Sequence, residues 1–162
     1  MTKIEISPEA AGKEAQRLFG EGLFCAESVV TAVAKSLGRE SDLAISLATG
    51  FCSGMGRTDG TCGAVTGAVM GIGLALGREA PGKSVQACYE AVQNMSHRFE
   101  AEFQSTNCSQ LLGCRLGTPD GQKTFRENKL GRKCELFTRR AAEIAAAVIN
   151  EHETPQAMKE TT

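Results

Sequence analysis

The sequence has no tryptophan and few aromatic residues of any kind, which limits how its core can be built. Its 162 residues include seven Phe, one Tyr and no Trp, so aromatic residues make up only 5% of the chain. Hydrophobic residues nevertheless reach 41%, and 18 residues are glycine. Small side chains must therefore fill much of the interior. A chain of this length is most simply one domain, and it can bury a core without disulfides.

The sequence also lacks a strong net charge and a long apolar run. The formal net charge is -1 at pH 7, which gives no general electrostatic attraction to nucleic acid. The long uncharged segment at residues 61–77 is short for a membrane span and contains five glycines. The first residues show no apolar segment typical of a secretory signal. We therefore predict a cytoplasmic protein that neither spans a membrane nor binds nucleic acid.

Seven cysteines are present, but no two of them form a CxxC pair. An odd number excludes a fully paired disulfide framework within one chain, and a reducing cytoplasm keeps thiols free. The absence of CxxC argues against a thioredoxin-like reaction, and the absence of CxxCH excludes haem attachment in its usual form. Neither histidine, His97 or His152, is an evident partner for a cysteine, so a Cys–His hydrolase is poorly supported.

Apolar residues recur with helical spacing along most of the chain, and no segment alternates with period two for the length of a strand. We predict an all-α fold: a compact bundle of about six helices with a central glycine-rich helix. Residues 1–150 form a single cysteine-rich redox domain in this prediction, and residues 151–162 form a flexible polar tail. Residues 118–121, with the sequence Thr-Pro-Asp-Gly, are predicted to form a turn.

Two of the predicted helices lie in the middle of the chain. One begins near residue 41 and carries Leu43, Leu47 and Phe51 on one face. The other is the glycine-rich helix, capped by Thr61, in which every fourth residue from 63 to 71 is glycine. Glycine costs up to about 1 kcal/mol at a helix interior position. Three such glycines indicate close approach of either another backbone or a bound group, and tight helix packing is the simpler explanation.

A glycine-rich loop, residues 50–60, connects these two helices. Successive glycine N–H groups can form an anion-binding nest, to which Arg57 could add a positive charge. The simpler interpretation is a tight connection between packed helices. Near a metal cluster, the same N–H groups and Arg57 would tune the site.

Four cysteines stand where helices are predicted to begin: Cys25, Cys62, Cys108 and Cys134. Unpaired N–H groups at a helix start favour the thiolate, which binds metals and attacks disulfides. Four thiolates from separate elements suit an iron–sulfur cluster or a structural zinc ion, and a pair of them suits reversible disulfide chemistry. Spacing alone does not decide between these. Cys114, a short distance beyond Cys108, is a candidate fifth ligand or resolving thiol.

The two remaining cysteines have other interpretations. Cys88 lies on the apolar seam of the long helix predicted after residue 84, where a free cysteine most often packs in the core. Cys52 lies in the glycine-rich loop, and the sequence assigns it no role.

The segments around these cysteines resemble the C_GCAxxG_C_C family of redox-active proteins. The resemblance covers roughly residues 10–150 and is carried by CAESV at 25–29, GMG at 54–56, CGAVTG at 62–67 and NCSQLLGC at 107–114. Matched one at a time, the four family cysteines fall on Cys25, Cys62, Cys108 and Cys134. A related domain occurs in split-Soret cytochromes, where an iron–sulfur site is inferred beside haem. Because this chain lacks the haem-attachment motif, the resemblance to that domain implies an iron–sulfur site but no haem.

Our leading hypothesis is a small electron-transfer protein with an iron–sulfur cluster, working with a redox partner protein rather than as a stand-alone enzyme. The four helix-start cysteines would be metal ligands, and Cys114, Gly63 and Arg57 would complete the cofactor site. One alternative is a metal-free thiol–disulfide oxidoreductase with a thiol that reacts well below pH 8. The other is a non-catalytic scaffold with a structural zinc ion, in which the glycine stripe could be a homodimer surface.

Overall fold

The computed structural model describes residues 5–153, and every regular element in that range is helical. The all-α prediction is therefore confirmed, but eight right-handed helices and one short left-handed turn replace the six helices predicted. Within these residues, no helix combines the length and the apolar character needed to cross a membrane. The elements in chain order are α1 (Pro8–Gly20), α2 (Cys25–Ser36), α3 (Leu43–Thr49), α4 (Cys52–Arg57, the left-handed turn), α5 (Gly63–Leu76), α6 (Gln86–Phe103), α7 (Cys108–Leu112), α8 (Pro119–Glu127) and α9 (Gly131–Glu153).

The longest helix, α9, packs against α1, α2, α5 and α6, and α2 packs against α5. Alanine and valine dominate the buried positions between them, as the low aromatic content predicts. Larger side chains meet at one end of α6 and α9, where the ring of Phe103 lies 4.8 Å from that of Phe99 and 4.9 Å from that of Phe137. Such aromatic pairs add about 0.5–1.5 kcal/mol beyond the burial of their area.

The glycine stripe of α5 allows a close approach to α2. A Cβ on Gly67 would stand 2.6 Å from the carbonyl oxygen of Ala26, and one on Gly71 would stand 2.8 Å from Cγ1 of Val33. Real Cβ atoms do not come this close to other heavy atoms, so neither position accepts a side chain without moving α2. Tight helix packing is therefore the confirmed explanation for these two glycines.

The predicted apolar face of α3 exists, but it faces away from the core. Leu43 and Leu47 are 64% and 63% exposed, whereas Ala44 and Ala48 are buried against α2. Both faces of this helix carry apolar residues, so the spacing of the large ones does not indicate which face is covered.

Residues 118–121 begin a helix, so the predicted turn is wrong. The Thr118 hydroxyl accepts a hydrogen bond from the N–H of Gly121 at 3.0 Å, and Pro119 is the first residue of α8. A Thr-Pro-Asp sequence is as typical of a helix start as of a turn, because proline at the first helical position loses no hydrogen bond.

The predicted tail begins inside α9. This helix continues through Glu153, and the Glu151 carboxylate pairs with Arg98 of α6 at 2.7 Å. Residues 154–162 of the predicted tail lie outside the described residues.

Candidate functional site

Four cysteines from four separate elements line one cavity of about 370 Å³. Cys25 is the first residue of α2, and Cys108 is the first residue of α7. Cys134 lies in the first turn of α9. Cys62 itself precedes α5 as its N-cap, the position predicted for Thr61. The predicted placement of these four thiols at helix starts is therefore confirmed, and the fold brings all four to the same space.

The rest of the cavity wall is mostly apolar, with a few polar side chains. The exposed side chains of Arg57 and Arg126 belong to it, and neither forms an ion pair or hydrogen bond within residues 5–153. Gln122 also lines the cavity and donates a hydrogen bond to the carbonyl of Leu116 at 3.0 Å. The apolar members of the wall are Phe19, Phe24, Leu111, Leu112, Leu116, Phe125 and Phe137.

One side of the cavity is formed by the left-handed turn α4. From Ser53 to Gly56, four consecutive residues have φ between +50° and +68°, and Arg57 follows with φ +70°. A left-handed conformation costs roughly 1–2 kcal/mol for each residue that carries a side chain. The turn bends the chain so that Ser53 and Arg57 both line the cavity.

Hydrogen bonds to the segment before α7 hold this strained turn in place. Gly60 N–H donates to Gly54 O at 3.1 Å, and Cys108 N–H donates to Gly60 O at 3.0 Å. The Asn107 side-chain amide donates to Asp59 O at 2.6 Å. The segments that carry Cys62 and Cys108 are thereby fixed side by side, with Thr61 bridged to Asn107.

Two glycines make room for cysteine side chains. A Cβ on Gly54 would stand 2.5 Å from Cβ and 3.2 Å from Sγ of Cys108. A Cβ on Gly63 would overlap Sγ of Cys25. Gly63 is the glycine of the CGAVTG segment, and its role here is to let the Cys25 sulfur lie against the start of α5.

Burial keeps three of the cavity thiols protonated at neutral pH. It raises the pKa of Cys62 and Cys108 to about 11, and that of Cys134 to about 12. Charge on neighbouring thiols raises the pKa of all three further. The N–H groups of Ala64 and Val65 lower the pKa of Cys62, but burial outweighs them. The expectation that helix starts favour the thiolate is therefore wrong for these three residues in the protein alone.

The thiols line the cavity without converging on one point. Across residues 5–153, no group of three or more His, Cys, Asp and Glu side chains is arranged to hold a metal ion. The four sulfurs therefore lie around the edge of a cavity, and they do not form a ready-made site for a single metal ion.

A comparison with protein families agrees with this arrangement. Residues 23–148 match the sequence model described as "Putative redox-active protein (C_GCAxxG_C_C)", and this range contains all seven cysteines. The chain belongs to this family. Neither the search of curated proteins nor that of solved structures gives a match. Membership in this family supports a redox-active protein. The family signature contains four cysteines.

Cys114 lies outside the cavity wall that the C_GCAxxG_C_C cysteines form. It is half-buried against the core, close enough that charge on its thiol would raise the pKa of Cys108 and Cys134. Its predicted role as a fifth ligand or resolving thiol stays a prediction. Cys88 packs against the core from α6, as its position on the apolar seam predicts.

Cys52 is the cysteine that sequence reasoning missed. It is 4% exposed, its thiol donates to the carbonyl of Ala48 at 3.6 Å, and it packs beside Cys25. Interaction with the Cys25 thiol and burial raise the pKa of Cys52 far above its ordinary value. Because 27 positions separate the two cysteines and no motif links them, this contact could not be predicted from the sequence.

Glu27, in the family's CAESV segment, was also missed. Its carboxylate is buried, and it accepts hydrogen bonds from the N–H of Phe24 and the hydroxyl of Thr49, both at 2.8 Å. The first bond caps the start of α2, and the second ties the end of α3 to it. Glu27 therefore fixes the backbone that carries Cys25. A Glu three residues into a helix is a capping signal that could have been recognised from the sequence.

Proposed function

We propose that this protein is an electron-transfer protein that binds an iron–sulfur cluster through Cys25, Cys62, Cys108 and Cys134. The observation that carries the proposal is the single cavity of about 370 Å³ that these four thiols share. Bound there, the cluster would accept and release electrons, and a redox partner protein would exchange them. Membership in a redox-active family supports the same class of function.

The donor set fits a cluster chemically. Iron–sulfur clusters are commonly held by four cysteine thiolates. Burial and neighbouring thiols raise the pKa of Cys62, Cys108 and Cys134, so gathering four bare thiolates in this cavity is unfavourable. Iron would supply the missing positive charge, and its binding would release the thiol protons.

The spread of the four thiols favours a cluster over a single zinc ion. A structural zinc ion draws its ligands to about 2.3 Å from one centre. In this structure the sulfurs edge a cavity, and no group of three among the described residues is arranged around one point. A group of several atoms spans such a space with less rearrangement than one ion. Zinc remains the alternative cofactor.

The remaining wall suits a redox centre. Seven apolar side chains, among them Phe125 and Phe137, limit the access of water. The unpaired guanidinium groups of Arg57 and Arg126 would offset the negative charge of a thiolate-ligated cluster. Positive charge near a cluster stabilises its reduced form and raises its potential.

The metal-free oxidoreductase has less support. That hypothesis needs a thiol that reacts well below pH 8, and Cys62, Cys108 and Cys134 do not supply one, because burial raises the pKa of the first two to about 11 and that of the third to about 12. A thiol in this state is a poor nucleophile at neutral pH.

Anaerobic purification followed by reconstitution with iron and sulfide tests the proposal. We expect bound iron, acid-labile sulfide and visible absorption that bleaches on reduction. A colourless, iron-free protein after reconstitution would contradict the proposal. Binding of zinc alone, with no response to reductant, would indicate the structural alternative.

A further inference from the structure

Cys25, one of the four signature cysteines, lies beside Cys52, which is outside the signature. Both side chains pack with Ala26 in one small cluster, and interaction with the Cys25 thiol raises the pKa of Cys52. The position that a Cβ on Gly63 would occupy gives a second measure of their closeness. That point overlaps Sγ of Cys25 and lies 3.1 Å from Cα of Cys52.

The two members of the pair differ in their access to solvent. Cys25 is half-buried and lines the cavity, so a small molecule can reach its sulfur. Cys52 is 4% exposed and is absent from the cavity wall. The N–H groups of Glu27 and Ala26, at the start of α2, lower the pKa of Cys52, although the Cys25 thiol and burial raise it more. An accessible thiol beside a buried one is the arrangement of an attacking and a resolving cysteine.

We propose that Cys25 and Cys52 form a reversible disulfide that controls whether the cavity can be loaded with its cofactor. This effect of the disulfide rests on the proposed function, because Cys25 is one of the four proposed ligands. Bonded to Cys52, the Cys25 sulfur is no longer a thiolate donor, and three of the four proposed ligands remain. The dithiol form would bind the cofactor, and the disulfide form would not.

Thiol–disulfide exchange with a low-molecular-weight disulfide supplies the oxidation. The Cys25 thiolate attacks one sulfur of that disulfide, which breaks its S–S bond and releases one small thiolate. Cys52 then attacks the Cys25 sulfur of the mixed disulfide and releases the second small thiolate. The two protons of the cysteines pass to the two leaving thiolates. The protein dithiol loses two electrons, and the small disulfide gains them.

Peptide mapping of the metal-free protein tests whether the bond forms. The protein is incubated with oxidised glutathione, free thiols are alkylated, and the digest is read by mass spectrometry. We expect a peptide that joins Cys25 to Cys52 and that disappears after treatment with dithiothreitol. Cys52→Ala removes this product, and the matched control Cys88→Ala, at a cysteine that packs against the core, retains it. Glutathione attached to Cys25 with no joined peptide would overturn the proposal.

Iron loading tests whether the disulfide controls cofactor binding. We expect oxidised wild-type protein to take up several-fold less iron than the reduced protein, and Cys52→Ala to load equally in both states. Equal loading of the two wild-type states would overturn the proposal. If Cys52→Ala fails to fold, Cys52→Ser replaces it, and the wild-type comparison needs no variant.

The two proposals fail in different ways. A joined peptide in a protein whose reduced form never binds iron would contradict the cluster and leave the disulfide standing. Normal iron loading without a joined peptide would leave the cluster standing and contradict the disulfide.

Discussion

A single missing side chain at Gly63 allows the Cys25 sulfur to reach the start of α5. Alanine is a better helix former than glycine, so helix propensity does not require glycine at this first residue of α5. The contact with Cys25 forbids alanine, because a Cβ would overlap Sγ. The sequence predicted a functional role for this glycine from its motif, but only the folded arrangement supplies the physical reason.

Gly63→Ala tests this reason. We expect the free energy of unfolding to fall by about 1–3 kcal/mol, the usual cost of overpacking a buried site, and cofactor loading to decrease because Cys25 is displaced. Denaturant unfolding and iron analysis measure the two effects.

Gly73→Ala is the matched control in the same helix, since a Cβ there meets no atom within 4 Å. This substitution should stabilise the folded protein by about 0.5–1 kcal/mol. Equal effects of the two substitutions would count against the account.

The buried thiols predict a loss of stability at high pH. Cys62 and Cys108, with pKa values of about 11, stay protonated in the folded metal-free protein, whereas an unfolded thiol ionises near pH 8.5. The folded state therefore binds more protons between about pH 8.5 and 11, and its stability falls as pH rises, by up to about 1.4 kcal/mol per pH unit for each thiol. Denaturant unfolding at pH 8 and pH 10.5 should show this decrease, and Cys62→Ala should show less of it. Stability that is constant or rises with pH would refute the raised pKa values.

At the scale of elements, α4 is the part of the fold that the sequence described least well. Its glycines predicted a loop, but Ser53 and Met55 adopt the left-handed conformation as fully as Gly54 and Gly56. Asn107 and Cys108, distant in the sequence, donate hydrogen bonds to Asp59 and Gly60, and Gly60 in turn donates to Gly54 of the turn. Local propensity could not reveal them.

Met55→Gly tests the strain in this turn. Met55 is 45% exposed with φ +50°, so glycine should remove the left-handed strain and leave stability unchanged or raise it by up to about 1 kcal/mol. The same substitution at Met70, within α5, should destabilise by at least about 1 kcal/mol. Thermal or denaturant unfolding compares the two variants. A loss at Met55 as large as that at Met70 would contradict the left-handed geometry.

The amphipathic elements were more predictable than α4. The apolar residues between Ala26 and Leu37 recur with helical spacing in the sequence, and they are buried along α2. In α3, by contrast, alanines cover the buried face and leucines the exposed one, which inverts the usual relation between size and burial. Close packing against α2 selects the small residues there, and that constraint comes from the partner helix.

At the scale of the whole molecule, the cavity is assembled from elements that are distant in sequence. Sequence reasoning singled out Cys25, Cys62, Cys108 and Cys134, because helix starts and a family motif marked them, and the fold places these four around one cavity. It could not find Arg126 as a wall residue or Cys52 as a neighbour of Cys25. Neither lies in a motif, and tertiary packing alone brings them to the site.

The two cavity arginines predict an electrostatic effect on the proposed iron–sulfur cluster. We expect Arg57→Gln combined with Arg126→Gln to lower the reduction potential of the reconstituted protein, because two positive charges that favour the reduced form are removed. Arg132→Gln removes a charge from the start of α9 at a residue that does not line the cavity, and it should change the potential less. Voltammetry or a dye titration measures the three potentials. An equal shift in the control would indicate a general charge effect.

The central claim is that four cysteines hold one cofactor together. Its most direct test is the iron content per chain after identical anaerobic reconstitution of wild-type protein, four single Cys→Ser variants at positions 25, 62, 108 and 134, and Cys88→Ser. The account predicts that each of the four substitutions sharply reduces bound iron, and that Cys88→Ser, on the apolar seam of α6, retains the wild-type content. Wild-type iron content in all four variants, or an equal loss in Cys88→Ser, would contradict it.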